Sequence, residues 1–442
     1  MPQFQLPLLP RERGVELNKV DDADRPAHWW YRFVLSFPPH LVRDYIQRFG
    51  LQPGQRVLDP FCGTGTTVVE CKKLGIHGIG IEAHPMSHFA SSVKVDWSPD
   101  AAGFERSSLS IANAVIAELA AQGIDDNLPA TPEEANRLEP ILRKLPGDVA
   151  KLLLADSISP LPLHKTLVLL DAIVASGRTR YRDHQILALA KALTGPIGNL
   201  HFGPEVGVGP AKVDVPVVAS WFDCIRAMAW DLGSLDNRQP PAFVHHADSR
   251  DVLRVVPKGS IDAVITSPPY PNEKDYTRTT RLESVLLGFV SSKDELRALK
   301  RTMVRSNTRG VYKGDDDDRW IAGHAEIERI ATAIEARRIE LKKTSGFERL
   351  YAKVTKLYFG GMARHLAELR TVLRPGAQLA YVVGDQASYL RIMIRTGQIL
   401  ATIARDLGYE VVGIDLFRTR LATATKEQLR EEVVVLRWPG PR

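Results

Sequence analysis

Between Arg56 and Thr67 the chain passes from a short apolar stretch, Arg56-Val57-Leu58-Asp59, into a glycine turn, Phe61-Cys62-Gly63-Thr64-Gly65, and out into a helical pattern from about Thr66 to Leu74. A strand, a glycine turn and a helix start in that order point to a parallel α/β sheet with a ligand at its edge. Glycine at 63 and 65 removes the Cβ atoms that would hold a ligand away from the turn. The free N–H groups at the helix start face that ligand. A second apolar stretch, His77 to Glu82, ends in an acid 23 residues after Asp59, the spacing at which a carboxylate meets the two hydroxyls of a ribose. The turn is not a dinucleotide fingerprint, because Val68 stands where the third glycine belongs, and it lacks the Gly-Lys-Ser/Thr ending of a phosphate loop. Two glycines alone would be an ordinary tight turn. The flanking acids make it a nucleoside site.

The rest of the chain continues the alternation of strands and helices. Phe243-Val244-His245, Ile261 to Thr266 and Gln378 to Val383 read as further strands. Glu410 to Leu416 and Glu432 to Leu436 read as a closing pair. Before the Gln378 strand, Val354, Tyr358, Met362, Leu366, Leu369 and Leu373 keep one face of a helix, and Arg374-Pro375-Gly376 punctuates. A last helix is expected from about Leu390 to Leu407. Two stretches break the pattern. Residues 100–239 are helical and irregular, and residues 291–346 are charged, with four aspartates in a row at 315–318. Both read as insertions into one sheet domain. The expected fold class is α/β: a Rossmann-like, doubly wound, mostly parallel sheet with helical insertions.

Directly after the strand Ile261 to Thr266 stands Ser267-Pro268-Pro269-Tyr270. Two successive prolines fix φ and donate no backbone hydrogen bonds, so the tetrad leaves the sheet as a rigid extended stub. It does so at the carboxyl edge, where open α/β sheets bind ligands. The Ser267 hydroxyl, the Pro268 carbonyl and the Tyr270 ring together suit a planar base with an exocyclic amine. The ring stacks on the base, and the two oxygens accept the two N–H groups. A proline turn alone calls for neither the serine nor the tyrosine.

The pair DPFCGTGTT and TSPPY resembles the amino-group DNA methyltransferases, which transfer methyl from S-adenosyl-L-methionine to N4 of cytosine or N6 of adenine. The resemblance covers residues 33–97, 243–290 and 355–437, about half the chain. It implies that Asp59, Phe61, Gly63 and Gly65, with Thr66 beside them, hold the methionine part of the cofactor. Glu82 would hold the ribose, and Asp248 in HHADSRD would bond the adenine. Ser36-Phe37-Pro38-Pro39-His40-Leu41 is similar to the motif that precedes the glycine loop, so Phe37 and Pro38 would pack on the methionine end. Ser267, Pro268, Pro269 and Tyr270 would be the catalytic residues. Serine in first place is similar to the N4-cytosine members. The implied reaction is direct displacement of methyl onto the exocyclic nitrogen of a base flipped out of the duplex. N6-adenine methylation, RNA base methylation and a non-catalytic DNA-binding regulator are the alternatives. On this reading residues 1–99 are an N-terminal arm and the cofactor-binding half. Residues 100–240 are a helical insertion and a candidate target-recognition region, residues 241–290 the catalytic part, 291–346 the charged insertion, and 347–442 the C-terminal part. The resemblance also raises a restriction–modification role with a cognate endonuclease as partner.

Charge is consistent with a polyanionic partner. The net charge is +6 over 442 residues, but residues 271–313 alone hold ten basic and five acidic residues. Lys or Arg near phosphates releases bound counterions, and the window begins beside the tetrad. Lys274, Arg278 and Arg281 are therefore the expected contacts to double-stranded DNA. No run approaches the roughly 20 apolar residues of a membrane helix, and the amino terminus does not read as a secretory signal. The three cysteines (Cys62, Cys71 and Cys224) form no disulfide framework and no C-x-x-C pair, which suggests a reduced, cytosolic compartment and no structural zinc, and the resemblance implies a prokaryotic cytosol. Carbon-5 methylation needs a cysteine nucleophile, and none sits in a suitable frame. The four aspartates read as a solvated loop, and Trp29-Trp30-Tyr31 as a packing anchor.

Overall fold

The computed structural model describes residues 20–31, 36–202, 205–237, 239–272, 274–421 and 428–441. Nine strands form among them: β1 (Arg56–Asp59), β2 (His77–Glu82), β3 (Leu200–Phe202), β4 (Val206–Val208), β5 (Phe243–His246), β6 (Ile261–Thr266), β7 (Leu373–Gly384), β8 (Glu410–Leu421) and β9 (Gln428–Arg437). β3 and β4 make a separate hairpin, and the other seven form one sheet in the order β5-β2-β1-β6-β7-β9-β8. Pairing is parallel from β5 through β7 and antiparallel where β9 joins β7 and β8 joins β9. This is the expected doubly wound, mostly parallel sheet.

The inner strands β1, β6 and β7 read as near-continuous apolar runs because both faces of the sheet are covered there, whereas the edge strand β8 keeps every second residue exposed. Successive side chains alternate between the two layers. Leu58, Val264, Leu379, Tyr381, Val383, Val434 and Leu436 enter one core with the helices Tyr351–Leu369 and Thr396–Asp406. Val57, Ala263, Ile265, Ala380, Val382, Val433 and Val435 enter the other, against the helix Pro39–Arg48. A register slip of one residue would exchange these two sets.

Residues 100–239 and 291–346 share cores with the elements around the sheet. From the first, Phe104, Val115, Leu187 and Trp221 pack with Trp30, Val68 and Met86. From the second, Val304, Ile321, Ile327 and Ile334 pack with Tyr358 and Met362. Two of the aromatic trio are packed: Trp30 is buried and donates to Asp231 at 2.8 Å, and Tyr31 is buried and donates to Glu283, whereas Trp29 is exposed.

Four local expectations are corrected. The apolar stripe read through Leu373 ends at Leu369, and Leu373 opens β7, so Arg374-Pro375-Gly376 lies within the strand. The last helix runs Thr396–Asp406 rather than from Leu390, because Leu390 and Arg391 take left-handed backbone (φ 55° and 66°), which a helix does not admit. β8 and β9 run well beyond the short pair read from their apolar residues. The aspartate row is not a wholly solvated loop. Asp315 pairs with Arg305 at 2.8 Å, and Asp317 is buried against Arg250, while Asp316 stays exposed.

β1 and β6 are neighbours, yet the chain leaves β1 for β2 on one side and returns through β6 on the other. Their carboxyl ends are the topological switch point of the sheet, where the crevice of a doubly wound fold opens. The hydroxyl of Thr266, the last residue of β6, donates to Asp59, the last residue of β1, at 2.6 Å. This bond ties the tetrad to the glycine loop.

Candidate active site

A cavity of about 540 Å³ opens at this switch point, within the range of small-molecule sites. One side is the glycine loop. Gly63 and Gly65 both take left-handed backbone, with φ of 54° and 91°. Gly65 caps the helix Thr66–Lys73 and packs so closely on the next helix that a Cβ would stand 3.0 Å from that of Ser91. A Cβ on Gly63 would meet no protein atom within 4 Å, so the bare glycine leaves that space to the cavity it lines. Phe61, Gly63, Thr66 and Glu82 line the cavity, as does Phe37 from the segment before the helix Pro39–Arg48. Pro38 is buried behind it, and Gly65 and Asp59 lie beneath the lining.

The two acids are held in place by backbone. Asp59 Oδ1 accepts from the Phe61 N–H at 3.1 Å and from Thr266, while Oδ2 is buried without a hydrogen-bond partner. Glu82 accepts from the N–H groups of Gly63 and His84, each at 2.7 Å. Burial raises Asp59 to about 6 and Glu82 to about 7, because a carboxylate out of water is costly even with hydrogen bonds. Each Glu82 oxygen keeps a further lone pair, as a pair of vicinal hydroxyls would require. Asp248 is placed differently. It caps the turn Ser249–Arg254, its carboxylate is paired with Arg250 at 2.6 Å, and the cavity wall begins at its neighbour Ser249.

The tetrad makes the adjoining part of the wall, and all of Ser267, Pro268, Pro269 and Tyr270 line the cavity. The Ser267 hydroxyl donates to the Val382 carbonyl at 3.1 Å. Its proton is thereby committed, and its oxygen lone pairs remain as acceptors. The Tyr270 ring lies against the end of β7, where a Cβ on Gly384 would approach Cε2 to 2.8 Å. Glycine at 384 is thus what lets the ring lie there. Burial raises the Tyr270 phenol, so it stays neutral.

Of the three expected DNA contacts, Lys274 lines the cavity. Arg281 turns inward and donates to the carbonyls of Thr277 at 2.9 Å and Leu152 at 3.1 Å. Arg278 is half-buried, with its Nε enclosed. Several other cations of the basic window are also spent internally, Lys300 on Asp275 at 2.7 Å and Arg305 on Asp315. The window is less of a surface patch than its composition implies. Other cations line the site: Arg418 and Arg420 on β8, paired with Glu431 on β9 at 2.6 Å and 3.5 Å. The alternation at 418 and 420, two cations on one strand face, was the signal available for them. The segment 302–306 supplies Thr302, Met303, Val304 and Ser306, and the chain after β7 supplies Gln386 and Ser388.

Cys62 lines the cavity from the glycine loop. Cys62 and Cys71 are buried with thiols pushed well up by burial, and Cys224 is raised to about 11. No cluster of His, Cys, Asp or Glu suited to a metal exists among the described residues. No helix among them is long and apolar enough to cross a membrane.

Comparison with known proteins agrees with this geometry. The N6_N4_Mtase family, described as DNA methylase, matches residues 11–89. The type II methyltransferase M.BsoBI of Geobacillus stearothermophilus is 28% identical, over 95% of this chain and 87% of its own length. The type II methyltransferase M.AvaI of Nostoc sp. is 25% identical, over 95% and 88%. M.MjaII of Methanocaldococcus jannaschii, also a type II methyltransferase, is 39% identical over a shorter stretch that covers 19% of this chain and 15% of its own.

Proposed function

The chain is a relative of the amino-group DNA methyltransferases, and from that premise we propose that it methylates the N4 amine of a cytosine flipped out of duplex DNA. S-adenosyl-L-methionine supplies the methyl group as an electrophilic sulfonium carbon. The residues fit it: the bare Gly63 leaves room at the cavity wall, and Glu82 offers two anchored oxygens for a ribose. Phe37, Phe61 and Thr66 would hold the remainder, and Asp59 would brace the loop from below. For Asp248 we propose a bracing role, with its carboxylate taken up by Arg250.

The observation that carries the reading is the Ser267 hydrogen bond. With its proton given to Val382, the hydroxyl is left as an acceptor, and the carbonyl of Pro268, which also lines the cavity, would be the second. Two acceptors side by side match the two N–H groups of an exocyclic amine. Hydrogen bonds that hold both N–H groups draw the nitrogen lone pair away from the aromatic ring and aim it at the glycine-loop side. Tyr270 stacks on the base, and the prolines keep water from competing for the two oxygens. Orienting the amine in this way converts a collision into a positioned encounter. Lys274, Arg418 and Arg420 at the cavity would receive the neighbouring phosphates. The type II relatives further suggest a restriction–modification role beside a cognate endonuclease.

The test is incubation of the purified protein with methyl-labelled cofactor and mixed-sequence duplex DNA, followed by nucleoside analysis. Label in N4-methylcytosine is expected. Label in N6-methyladenine would move the assignment to the other base, and label in tRNA alone would replace DNA as substrate.

A further inference from the structure

The cavity wall holds a buried polar side chain with a donor that no described residue satisfies. Gln386 is 3% exposed, lines the cavity, and has an Nε2 buried without a hydrogen-bond partner. Its backbone is fixed by two bonds to Ile394, at 3.0 Å and 2.7 Å. The position follows from strand geometry. In β7 Val382 accepts from Ser267 and Gly384 carries the Tyr270 ring, and Gln386 follows two residues on, just beyond the strand, lining the same cavity as the tetrad. A buried donor without a partner is unfavourable; Nε2 is enclosed rather than open to the empty cavity, so a turn of the unbonded carboxamide about its last bond would present its donors to a ligand that brings acceptors.

We propose that Gln386 is a specificity-determining residue that donates to the acceptor edge of the target base and so selects cytosine. The inference rests on the reading of the cavity as the seat of a flipped base. Flipped bases are read by hydrogen bonds to their Watson–Crick edge. With the exocyclic amine held by Ser267 and Pro268, cytosine still presents two acceptors along that edge, N3 and O2. Adenine presents N1 and then a carbon-bound hydrogen. The two N–H groups of one carboxamide match N3 and O2, and on adenine one of them is left unpaired in a buried site. A site built to bond a polar group rejects a substrate lacking it far more strongly than a greasy pocket does.

Two variants test this. Gln386→Glu keeps the shape and removes the donors, and Gln386→Leu removes polarity altogether. Each is assayed on amplified duplex made with ordinary cytosine or with 2-thiocytosine throughout, whose sulfur is a weak acceptor. The wild type is expected to methylate cytosine and to slow by roughly ten-fold or more on the 2-thio duplex. Both variants should lose a similar factor on ordinary DNA, and Gln386→Leu should be indifferent to the thio substitution. S-adenosylhomocysteine affinity by calorimetry should stay within about two-fold of wild type, which separates base reading from a general collapse of the site. A variant that keeps the wild-type rate, or an equal response of all three proteins to 2-thiocytosine, overturns the inference and leaves the cytosine assignment standing. A wild type that labels only adenine, or no DNA, overturns both.

Discussion

Asp59 is fully buried and one of its oxygens has no partner, so its ionisation weakens the fold by an amount that can be worked out. Its folded-state pKa is about 6 against an ordinary 3.8, a rise of about 2.2 units, or about 3 kcal/mol at 1.36 kcal/mol per unit. The sign follows from linkage. Because the folded value is raised, the favourable contribution of the protonated form is complete below about pH 3.8 and is lost as pH climbs through about 6. Asp59→Asn keeps an oxygen for the Phe61 N–H and the Thr266 hydroxyl and carries no charge. Its stability relative to wild type should therefore rise with pH, by about 2–2.5 kcal/mol between pH 4 and pH 8, with a little under half of that by pH 5. Any fixed cost of the extra amide shifts both ends equally and leaves this slope intact. Glu82 adds in the same direction, since the Asp59 charge contributes to its raised pKa. Urea unfolding of both proteins across pH 4–8 measures the slope. Parallel stability curves would refute the reasoning, since they would mean that Asp59 titrates alike in the folded and unfolded chains.

Three further outcomes follow from the geometry. Ser267→Ala removes one of the two amine acceptors and should lower kcat by about a hundred-fold with S-adenosylhomocysteine affinity within two-fold, read by single-turnover kinetics and calorimetry. Gly384→Ala pushes a methyl group to 2.8 Å from the Tyr270 ring and displaces it. The expected result is a ten- to hundred-fold loss of kcat with about 1–3 kcal/mol lost in stability. Lys274→Ala should weaken duplex binding about equally across sequences and lower the slope of log affinity against log salt by about one.

The glycine loop and the tetrad were legible because each rests on residues whose backbone behaviour is nearly context-free. Gly63 and Gly65 take the left-handed backbone, and Pro268-Pro269 extends the stub from β6. β1, β2 and β6 were legible for a related reason, since strands covered on both faces are continuous apolar runs. What the sequence hid depends on distant partners. The outer halves of β8 and β9 are polar, so Phe417, Arg418, Arg420 and Glu431 looked like hairpin ends, yet pairing along ten and more residues carries them into the cavity wall. Gln386 sits in a turn shaped by left-handed Leu390 and Arg391 that no local pattern announced. Arg281 looked like a free cation because the Leu152 carbonyl it bonds lies 129 residues away. Asp317 looked solvated because its partner Arg250 lies 67 residues away in the chain.

The account turns on one cavity that seats both a sulfonium donor and an extruded base. Structure determination of the protein with S-adenosylhomocysteine and a methylatable duplex tests that most directly. The nucleoside is predicted between Phe37, Phe61 and Glu82, with a cytosine out of its helix between Ser267, Tyr270 and Gln386. A duplex bound with every base stacked, or a nucleoside seated elsewhere on the molecule, would contradict it.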